Sequence, residues 1–123
     1  MAQTLIIIPT YNEVENIAAI TGSILHEIKN AHILFVDDNS KDGTKEAIAR
    51  EAEKVQGTVH TIHRPRKLGL GTAYLKGFQF AVDHNYEYVV QMDADLSHNP
   101  CYVPHRCIPL LPLCYLGILV PLA

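Results

Sequence analysis

Two aspartates separated by one residue, Asp93 and Asp95, are the side chains of this sequence best placed to do chemistry. They follow an apolar run that predicts a strand ending near Met92. Because side chains alternate along a strand, both carboxylates would point to the same side. Converging carboxylates repel each other unless a cation lies between them, and oxygen ligands favour Mg²⁺ or Mn²⁺, which could in turn hold a diphosphate. The alternative is that the pair caps the next helix or faces solvent.

A second acidic pair, Asp37 and Asp38, follows the second apolar run of the chain. A carboxylate in this position could accept hydrogen bonds from a nucleotide base or a ribose. The pair could equally form a turn and helix cap together with Ser40 and Asp42, since all four side chains can bond to nearby backbone N–H groups. The residues alone leave both interpretations open.

Two glycines, Gly69 and Gly71, follow the third apolar run and would let a ligand approach the backbone closely. They lack the Gly-Lys-Ser/Thr ending of a nucleotide P-loop, and a dinucleotide fingerprint would follow the first strand instead. Arg64, Arg66 and Lys67 lie just before the glycines. These basic side chains could meet phosphates or could form an ordinary solvated loop.

Aromatic and histidine side chains near the predicted strand ends add weaker candidates. Tyr11 could stack on a base or pack over the end of the first strand. His60 and His63 are three residues apart on a predicted strand and so point to opposite faces, which argues against a metal pair. His98 could be a metal ligand, but a supporting role is favoured. A Ser/His/Asp or Cys/His arrangement for nucleophilic catalysis is not evident.

The elements that must position these residues alternate through the first hundred positions. Strands are predicted at 4–8 (ended by Pro9), 32–36, 58–63 and 86–92, and helices at 14–28, 47–55 and 73–84. This order predicts an α/β fold with right-handed crossovers and a mainly parallel sheet. Ligands bind at the carboxyl ends of such strands, so all four motif-bearing segments should meet at one edge.

Length and charge exclude several classes of protein. With 123 residues and 13.7 kDa the chain is one domain or part of one. Ten basic against thirteen acidic residues give a net charge of −3, so a nucleic-acid partner is not expected. An apolar content of 48% excludes a disordered chain. The amino terminus lacks a positive segment, and its apolar run is too short for a secretion signal.

Composition changes near residue 100. All three cysteines lie in 101–123, where Arg106 is the single formal charge. The stretch 107–123 is broken by prolines and is a poor membrane span. The cysteines lack CxxC zinc spacing and are expected to be reduced thiols. We therefore expect residues 1–104 to form one structural part and 105–123 to be an atypical apolar tail, such as a frameshifted or prematurely ended reading would leave.

Four segments together resemble one enzyme family. They are Pro-Thr-Tyr-Asn-Glu (9–13), Asp-Asp-Asn-Ser-Lys-Asp-Gly-Thr (37–44), Lys-Leu-Gly-Leu-Gly-Thr-Ala-Tyr (67–74) and Met-Asp-Ala-Asp-Leu-Ser-His-Asn-Pro (92–100). Across about residues 4–104 the chain is similar to the dolichyl- or polyprenyl-phosphate mannose synthases of glycosyltransferase family 2. The resemblance implies the amino-terminal half of a GT-A fold. It also implies transfer of mannose from GDP-mannose to polyprenyl or dolichyl phosphate, with inversion.

The resemblance also implies roles for particular residues. The residues expected to bind the nucleotide sugar are Pro9, Tyr11, Glu13, Asp37, Asp38, Gly69, Asp93, Ala94 and Asp95. Asp93 and Asp95 would be the catalytic pair and the ligands of Mg²⁺ or Mn²⁺, while Ser97 stands where some relatives place a longer polar side chain. The acceptor phosphate is already anionic, so little general-base help is needed. A lipid acceptor implies a peripheral protein at the cytoplasmic face of a membrane, with a separate membrane-anchoring partner as an option.

The chain departs from the family beyond about His105, where relatives continue with another strand and the acceptor-side segments. We therefore expect an open sheet edge, prone to aggregation, and weak or absent turnover. Three other functions stay open. One is a sibling enzyme that uses UDP-glucose with a lipid phosphate or glycan acceptor. A second is a non-catalytic nucleotide-binding domain. The third is a phospho-receiver domain, although its acidic pair should follow the first strand.

Overall fold

Strands and helices alternate along the chain in the predicted order. The computed structural model describes residues 3–28, 30–55, 57–92, 94 and 119–121. The elements are β1 (Thr4–Thr10), α1 (Ile17–Glu27), β2 (Ala31–Asp37), α2 (Thr44–Lys54), β3 (Val59–His63), α3 (Leu70–Asp83), β4 (Tyr88–Gln91) and β5 (Leu119–Pro121). The four strands and three helices predicted in the first hundred residues are confirmed, with boundaries shifted by a few residues.

The strands form one sheet in the order β3-β2-β1-β4-β5. The first four are parallel to their neighbours, and among the described strands only β5 is antiparallel, beside β4. Thr10 pairs with Asp37 and Asp37 pairs with His63, so β1, β2 and β3 end level with one another. The prediction of a mainly parallel sheet is confirmed. The chain crosses from one half of the sheet to the other between β1 and β4, where open α/β sheets bind ligands.

The two central strands are buried on both faces, which explains why their sequences are continuously apolar. Alternate side chains enter different cores. The core beneath α1 and α2 receives Ile6, Ile8, Ile33 and Phe35 from these strands. The core beneath α3 receives Leu5, Ile7, Leu34 and Val36. Helices on both faces therefore fix the sheet that carries the loops.

Helix α3 lies unusually close to the sheet because one of its residues has no side chain. A Cβ atom added to Gly77 would lie 2.5 Å from Cδ1 of Ile7, far inside van der Waals contact. Gly77 thus allows α3 to rest directly on β1. This contact helps to set where the first turn of α3 lies relative to the carboxyl edge of the sheet.

One sequence expectation about the strands is wrong. β1 was expected to end at Pro9, but it continues to Thr10. The backbone N–H and C=O of Ile7, two residues before Pro9, face β4. The carbonyl of Ile7 accepts the last described hydrogen bond between β1 and β4, from Met92 N. Pro9 faces the same side one step further on, so its missing N–H removes no bond of the described ladder. Beyond β4, β5 lies antiparallel to Tyr88–Val90 and is the outermost described strand on that side of the sheet, so the open sheet edge stays a prediction.

Among the described residues, every helix is too short or too polar to cross a membrane.

Candidate functional site

Three loops meet at the carboxyl edge of the sheet, and each carries one of the motifs found in the sequence. They follow β1 (residues 11–16), β2 (38–43) and β3 (64–69). Because the strands run parallel and end level, the loops start side by side. The expectation that these segments would gather at one edge is confirmed for these three.

Asp37 is completely buried, and its carboxylate bonds within the protein. Its Oδ1 accepts hydrogen bonds from Thr10 Oγ1 at 2.8 Å and Ser40 Oγ at 2.6 Å. Its Oδ2 accepts one from the backbone N–H of Ser40 at 3.0 Å. Asp37 therefore joins the end of β1 to the turn after β2, and the turn interpretation of this residue is the one the structure supports.

Asp38 forms a buried, two-point ion pair with Arg64, the residue that follows β3. Arg64 Nε donates to Asp38 Oδ1 at 2.6 Å and a terminal nitrogen donates to Oδ2 at 2.8 Å. The two residues are only 7% and 5% exposed. The paired forks fix the plane of the carboxylate, since a guanidinium can match a carboxylate with two parallel bonds.

Arg64 also reaches the start of α3, so it connects the loops after β2 and β3 to the first turn of that helix. It donates to Thr72 Oγ1 at 2.8 Å and to the carbonyl of Gly69 at 3.2 Å. Thr72 in turn lies 2.8 Å from the carbonyl of Leu68. Sequence reasoning treated Arg64 as one cation of an exposed run. Its position directly after a strand was the signal that separates it from Arg66, which is exposed.

The loops after β1 and β2 are joined by backbone-to-side-chain bonds. Asn12 N donates to Ser40 Oγ at 2.9 Å, and Lys41 N donates to Asn12 Oδ1 at 2.9 Å. Glu13 N donates to Thr44 Oγ1 at 2.9 Å. Asn12 adopts a left-handed conformation with φ 55°, which asparagine tolerates better than most residues. Each loop therefore holds the other in place.

Asp42 strengthens the same junction from its exposed position. Its carboxylate accepts hydrogen bonds from Val14 N at 3.2 Å and Thr44 N at 3.1 Å, and also from the hydroxyl of Thr44. Desolvation acts to raise the pKa of Asp42, but the hydrogen bonds from Thr44 and Val14 outweigh it and lower that pKa. The ionised form of Asp42 is thus the one that holds the junction.

The residues expected to line a nucleotide pocket lie along this edge. Pro9 is half-buried near the end of β1, and Tyr11 is 42% exposed. Lys67 Nζ lies 4.9 Å from the centre of the Tyr11 ring, so the loops after β1 and β3 approach each other there. The carboxylate of Glu13 accepts a hydrogen bond from Asn16 Nδ2 at 3.1 Å. Lys67 thus lies over one face of the exposed Tyr11 ring, and the carboxylate of Glu13 is already partly engaged.

Gly69 precedes α3 with φ 100°, a value that favours glycine. Its carbonyl accepts from both Arg64 and the N–H of Ala73. The glycine thus turns the chain from the loop into the helix.

The acidic pair Asp93 and Asp95 lies outside the described residues, as does His98. Ala94, between the two aspartates, is buried in the core beneath α1 and α2. A pair of carboxylates is a donor set suited to Mg²⁺ or Mn²⁺. Among the residues that the structure describes, three or more His, Cys, Asp or Glu side chains do not gather in a way that could hold a metal ion.

His32 of β2 and His60 of β3 lie toward the other end of the sheet. His32 Nδ1 is 2.7 Å from the hydroxyl of Tyr86, and His60 Nε2 is 3.4 Å from the same oxygen. Desolvation lowers the pKa of His32. Desolvation, followed by the charges of His32 and His84, lowers the pKa of His60. His63 is exposed at the carboxyl end of β3, apart from this cluster.

The sequence of the chain is similar to those of known enzymes. The chain is 48% identical over 98 residues to a polyprenol monophosphomannose synthase of Mycolicibacterium smegmatis, covering 80% of the chain and 37% of that protein. It is 43% identical over 103 residues to an undecaprenyl-phosphate mannosyltransferase of Micrococcus luteus, covering 83% and 42%. The chain therefore spans about two fifths of the length of these relatives.

Solved structures share the fold. A mannosyltransferase of Pyrobaculum calidifontis, in complex with GDP-mannose and Mn²⁺, matches 76% of the chain and 27% of its own length, with a TM-score of 0.61 and 28% identity. A glucosyl-3-phosphoglycerate synthase of Mycobacterium tuberculosis matches 89% and 40%, with a TM-score of 0.65 and 21% identity. These neighbours confirm the GT-A-like fold. The sequence model of Glycosyl transferase family 2 matches residues 5–106, and the chain belongs to that family.

Proposed function

We propose that this chain carries the donor-binding part of an inverting glycosyltransferase that moves mannose from GDP-mannose to polyprenyl or dolichyl phosphate. The observation that carries the proposal is the hydrogen-bonded junction of three loops at one sheet edge. The relatives at 48% and 43% identity are named a polyprenol monophosphomannose synthase and an undecaprenyl-phosphate mannosyltransferase, which supports mannose transfer to a polyprenyl phosphate. The Pyrobaculum neighbour, solved with GDP-mannose and Mn²⁺, supports the choice of donor.

Asp38 is the residue we assign to the guanine base. Arg64 occupies one lone pair on each of its oxygens, and a carboxylate offers about four such sites, so acceptor capacity remains. The guanine edge presents N–H donors to a carboxylate held in this way. Asp37 is inaccessible, and we assign it the role of positioning Asp38 and the loop after β1. Pro9, Tyr11, Glu13 and Gly69 would line the pocket.

Asp93 and Asp95, with Ala94 between them, are proposed to bind the donor diphosphate and to hold Mg²⁺ or Mn²⁺. A divalent ion bound there would offset the negative charge that develops on the departing GDP. An oxygen of the acceptor phosphate attacks C1 of mannose on the face opposite the leaving diphosphate, the C1–O bond to GDP breaks, and the configuration inverts. The attacking oxygen is already anionic, so the chain need not remove a proton.

The lipid acceptor places this reaction at a membrane surface, and we propose a peripheral position on the cytoplasmic face. A separate membrane-anchoring partner is compatible with this arrangement. These 123 residues cover 37% and 42% of the two relatives. We therefore expect them to bind the donor but to transfer mannose slowly or not at all.

Thermal unfolding with added ligands tests the donor assignment. The chain is heated with GDP-mannose, GDP or UDP-glucose, each with and without Mn²⁺. Metal-dependent stabilisation by the two guanine compounds is expected, at about 2.7 kcal/mol when the ligand is at a hundred times its Kd. Stabilisation by UDP-glucose alone would transfer the proposal to the sibling enzyme, and an unchanged melting temperature with all ligands would refute donor binding.

A further inference from the structure

The loop before α3 and the first turns of that helix expose both apolar and basic side chains. Leu68 is 41% exposed and Leu75 is 65% exposed. Three basic residues, Arg66, Lys67 and Lys76, are exposed in the same stretch of chain. Exposed large aliphatic side chains beside cations are the pattern that anionic lipid surfaces bind. We call these five residues the α3 patch.

The exposed position of Leu68 is held by hydrogen bonds to its own carbonyl and to the carbonyl of the next residue. Its carbonyl accepts from Thr72 Oγ1 at 2.8 Å, and the next carbonyl, that of Gly69, accepts from the buried Arg64. The loop is therefore tied to the first turn of α3. Leu75 and Lys76 lie in the second turn of that helix, about 8 and 9 Å along the axis from its first residue, Leu70, given a rise of 1.5 Å per residue.

Charge is distributed unevenly along α3. The basic residues lie in the loop before α3 and at Lys76 in its middle. Asp83 is instead the last residue of α3 and Glu87 follows it before β4, and both acidic side chains are exposed. Val82, at that acidic end, is 58% exposed and about 10 Å further along the axis than Leu75. An anionic surface would attract the first end of the helix and repel the second, so the complementarity selects the α3 patch over the rest of α3.

The α3 patch also lies at the edge where the three loops meet. β3 ends level with β2, and Lys67 approaches Tyr11 of the first loop. We propose that the α3 patch docks the chain on an anionic membrane, with the candidate donor site facing the lipid phosphates. The role of this docking rests on the proposed function, in which a lipid-linked acceptor must reach that edge. The docking itself needs no nucleotide.

Vesicle co-sedimentation of the full chain tests the docking. The vesicles contain phosphatidylglycerol and phosphatidylcholine in equal parts, or phosphatidylcholine alone, and nucleotide is left out. We expect binding to the anionic vesicles that weakens at high salt, and little binding to the neutral ones. Lys76→Gln should weaken binding about fivefold, and Leu75→Ser should weaken it roughly tenfold.

Two matched controls separate the α3 patch from general effects. Arg50→Gln removes an exposed cation from α2, on the other face of the sheet, and Val82→Ser removes an exposed apolar side chain from the acidic end of α3. Both should leave vesicle binding unchanged. Absence of binding by the unmodified chain, or equal losses in the controls, would overturn the proposal. So would a dimer in solution that Leu75→Ser dissociates while vesicles do not bind.

The GDP-mannose melting test keeps this inference distinct from the proposed function. Vesicle binding without stabilisation by GDP-mannose would support the docking and refute the donor assignment. Stabilisation by GDP-mannose without vesicle binding would do the reverse. Leu75→Ser and Lys76→Gln should leave the GDP-mannose shift unchanged, because neither side chain belongs to the proposed pocket.

Discussion

Arg64 holds both carboxylate oxygens of Asp38, at 2.6 and 2.8 Å, in a pair that is almost entirely buried. This contact joins the ends of β2 and β3, and Arg64 continues it to the first turn of α3. The Asp38 carboxylate, which we propose binds the guanine base, is thus oriented before any ligand arrives. Preorganisation of this kind reduces the ordering cost of binding.

Breaking this pair should be strongly destabilising. Arg64→Met leaves a buried carboxylate without its partner, and we expect the free energy of unfolding in urea to fall by about 3–5 kcal/mol. Arg66→Met, an exposed neighbour, should change it by less than about 0.5 kcal/mol. The double variant Arg64→Met with Asp38→Leu should recover a large part of the loss. Equal effects of Arg64→Met and Arg66→Met would contradict the buried pair.

Removing the hydroxyl of Ser40 should loosen the junction between the first two loops. Ser40→Ala deletes the donor to Asp37 and the acceptor for Asn12 N, both within the partly or fully buried junction. We expect a loss of about 1–3 kcal/mol in the free energy of unfolding and a weaker GDP-mannose shift. Ser23→Ala, on the exposed face of α1, is the control and should leave both quantities nearly unchanged. A normal GDP-mannose shift in Ser40→Ala would separate the junction from donor binding.

A methyl group at Gly77 should push α3 away from the sheet. The added Cβ would meet three carbon atoms of Ile7 at 2.5 to 2.8 Å, so Gly77→Ala should cost about 1–3 kcal/mol by denaturant unfolding. Gly22→Ala in α1 is the matched control, because a Cβ there meets nothing within 4 Å. It should stabilise the chain by roughly 0.5–1 kcal/mol, since alanine is the better helix former. Stabilisation by both substitutions would show that α3 does not rest on β1.

Stability should fall as the pH drops through the range below 6.5, the ordinary histidine value. The pKa values of His32 and His60 are lowered in the folded chain, first by desolvation, so the unfolded chain binds more protons in this window. Protonation therefore favours unfolding, and the contribution of the neutral histidines is fully present only above 6.5. Melting temperatures measured across this range check the direction. His60→Gln should flatten the profile, and a profile that His60→Gln leaves unchanged would contradict the assignment.

The sequence by itself determined the order of the elements and the edge that carries the chemistry. Continuous apolar runs such as Leu5–Ile8, bounded by turn residues, indicate strands buried on both faces, and helical spacing between such runs favours a parallel sheet. Polar motifs that directly follow the runs must then lie at the carboxyl ends of the strands. These patterns involve residues that are close together in the chain, so they can be recognised from the sequence alone.

Only the tertiary structure decided what each side chain at that edge does. Asp37 and Asp38 are adjacent and chemically identical, yet one bonds to Thr10 and Ser40 while the other pairs with Arg64. Ser40 is a local partner of Asp37, but Thr10 is 27 residues from Asp37 and Arg64 is 26 residues from Asp38. These distant partners meet because the parallel strands end level. The pairing of β5 with β4 is likewise a contact between distant segments. Burial and hydrogen bonding depend on which atoms share a region of space, and spacing along the chain does not specify that.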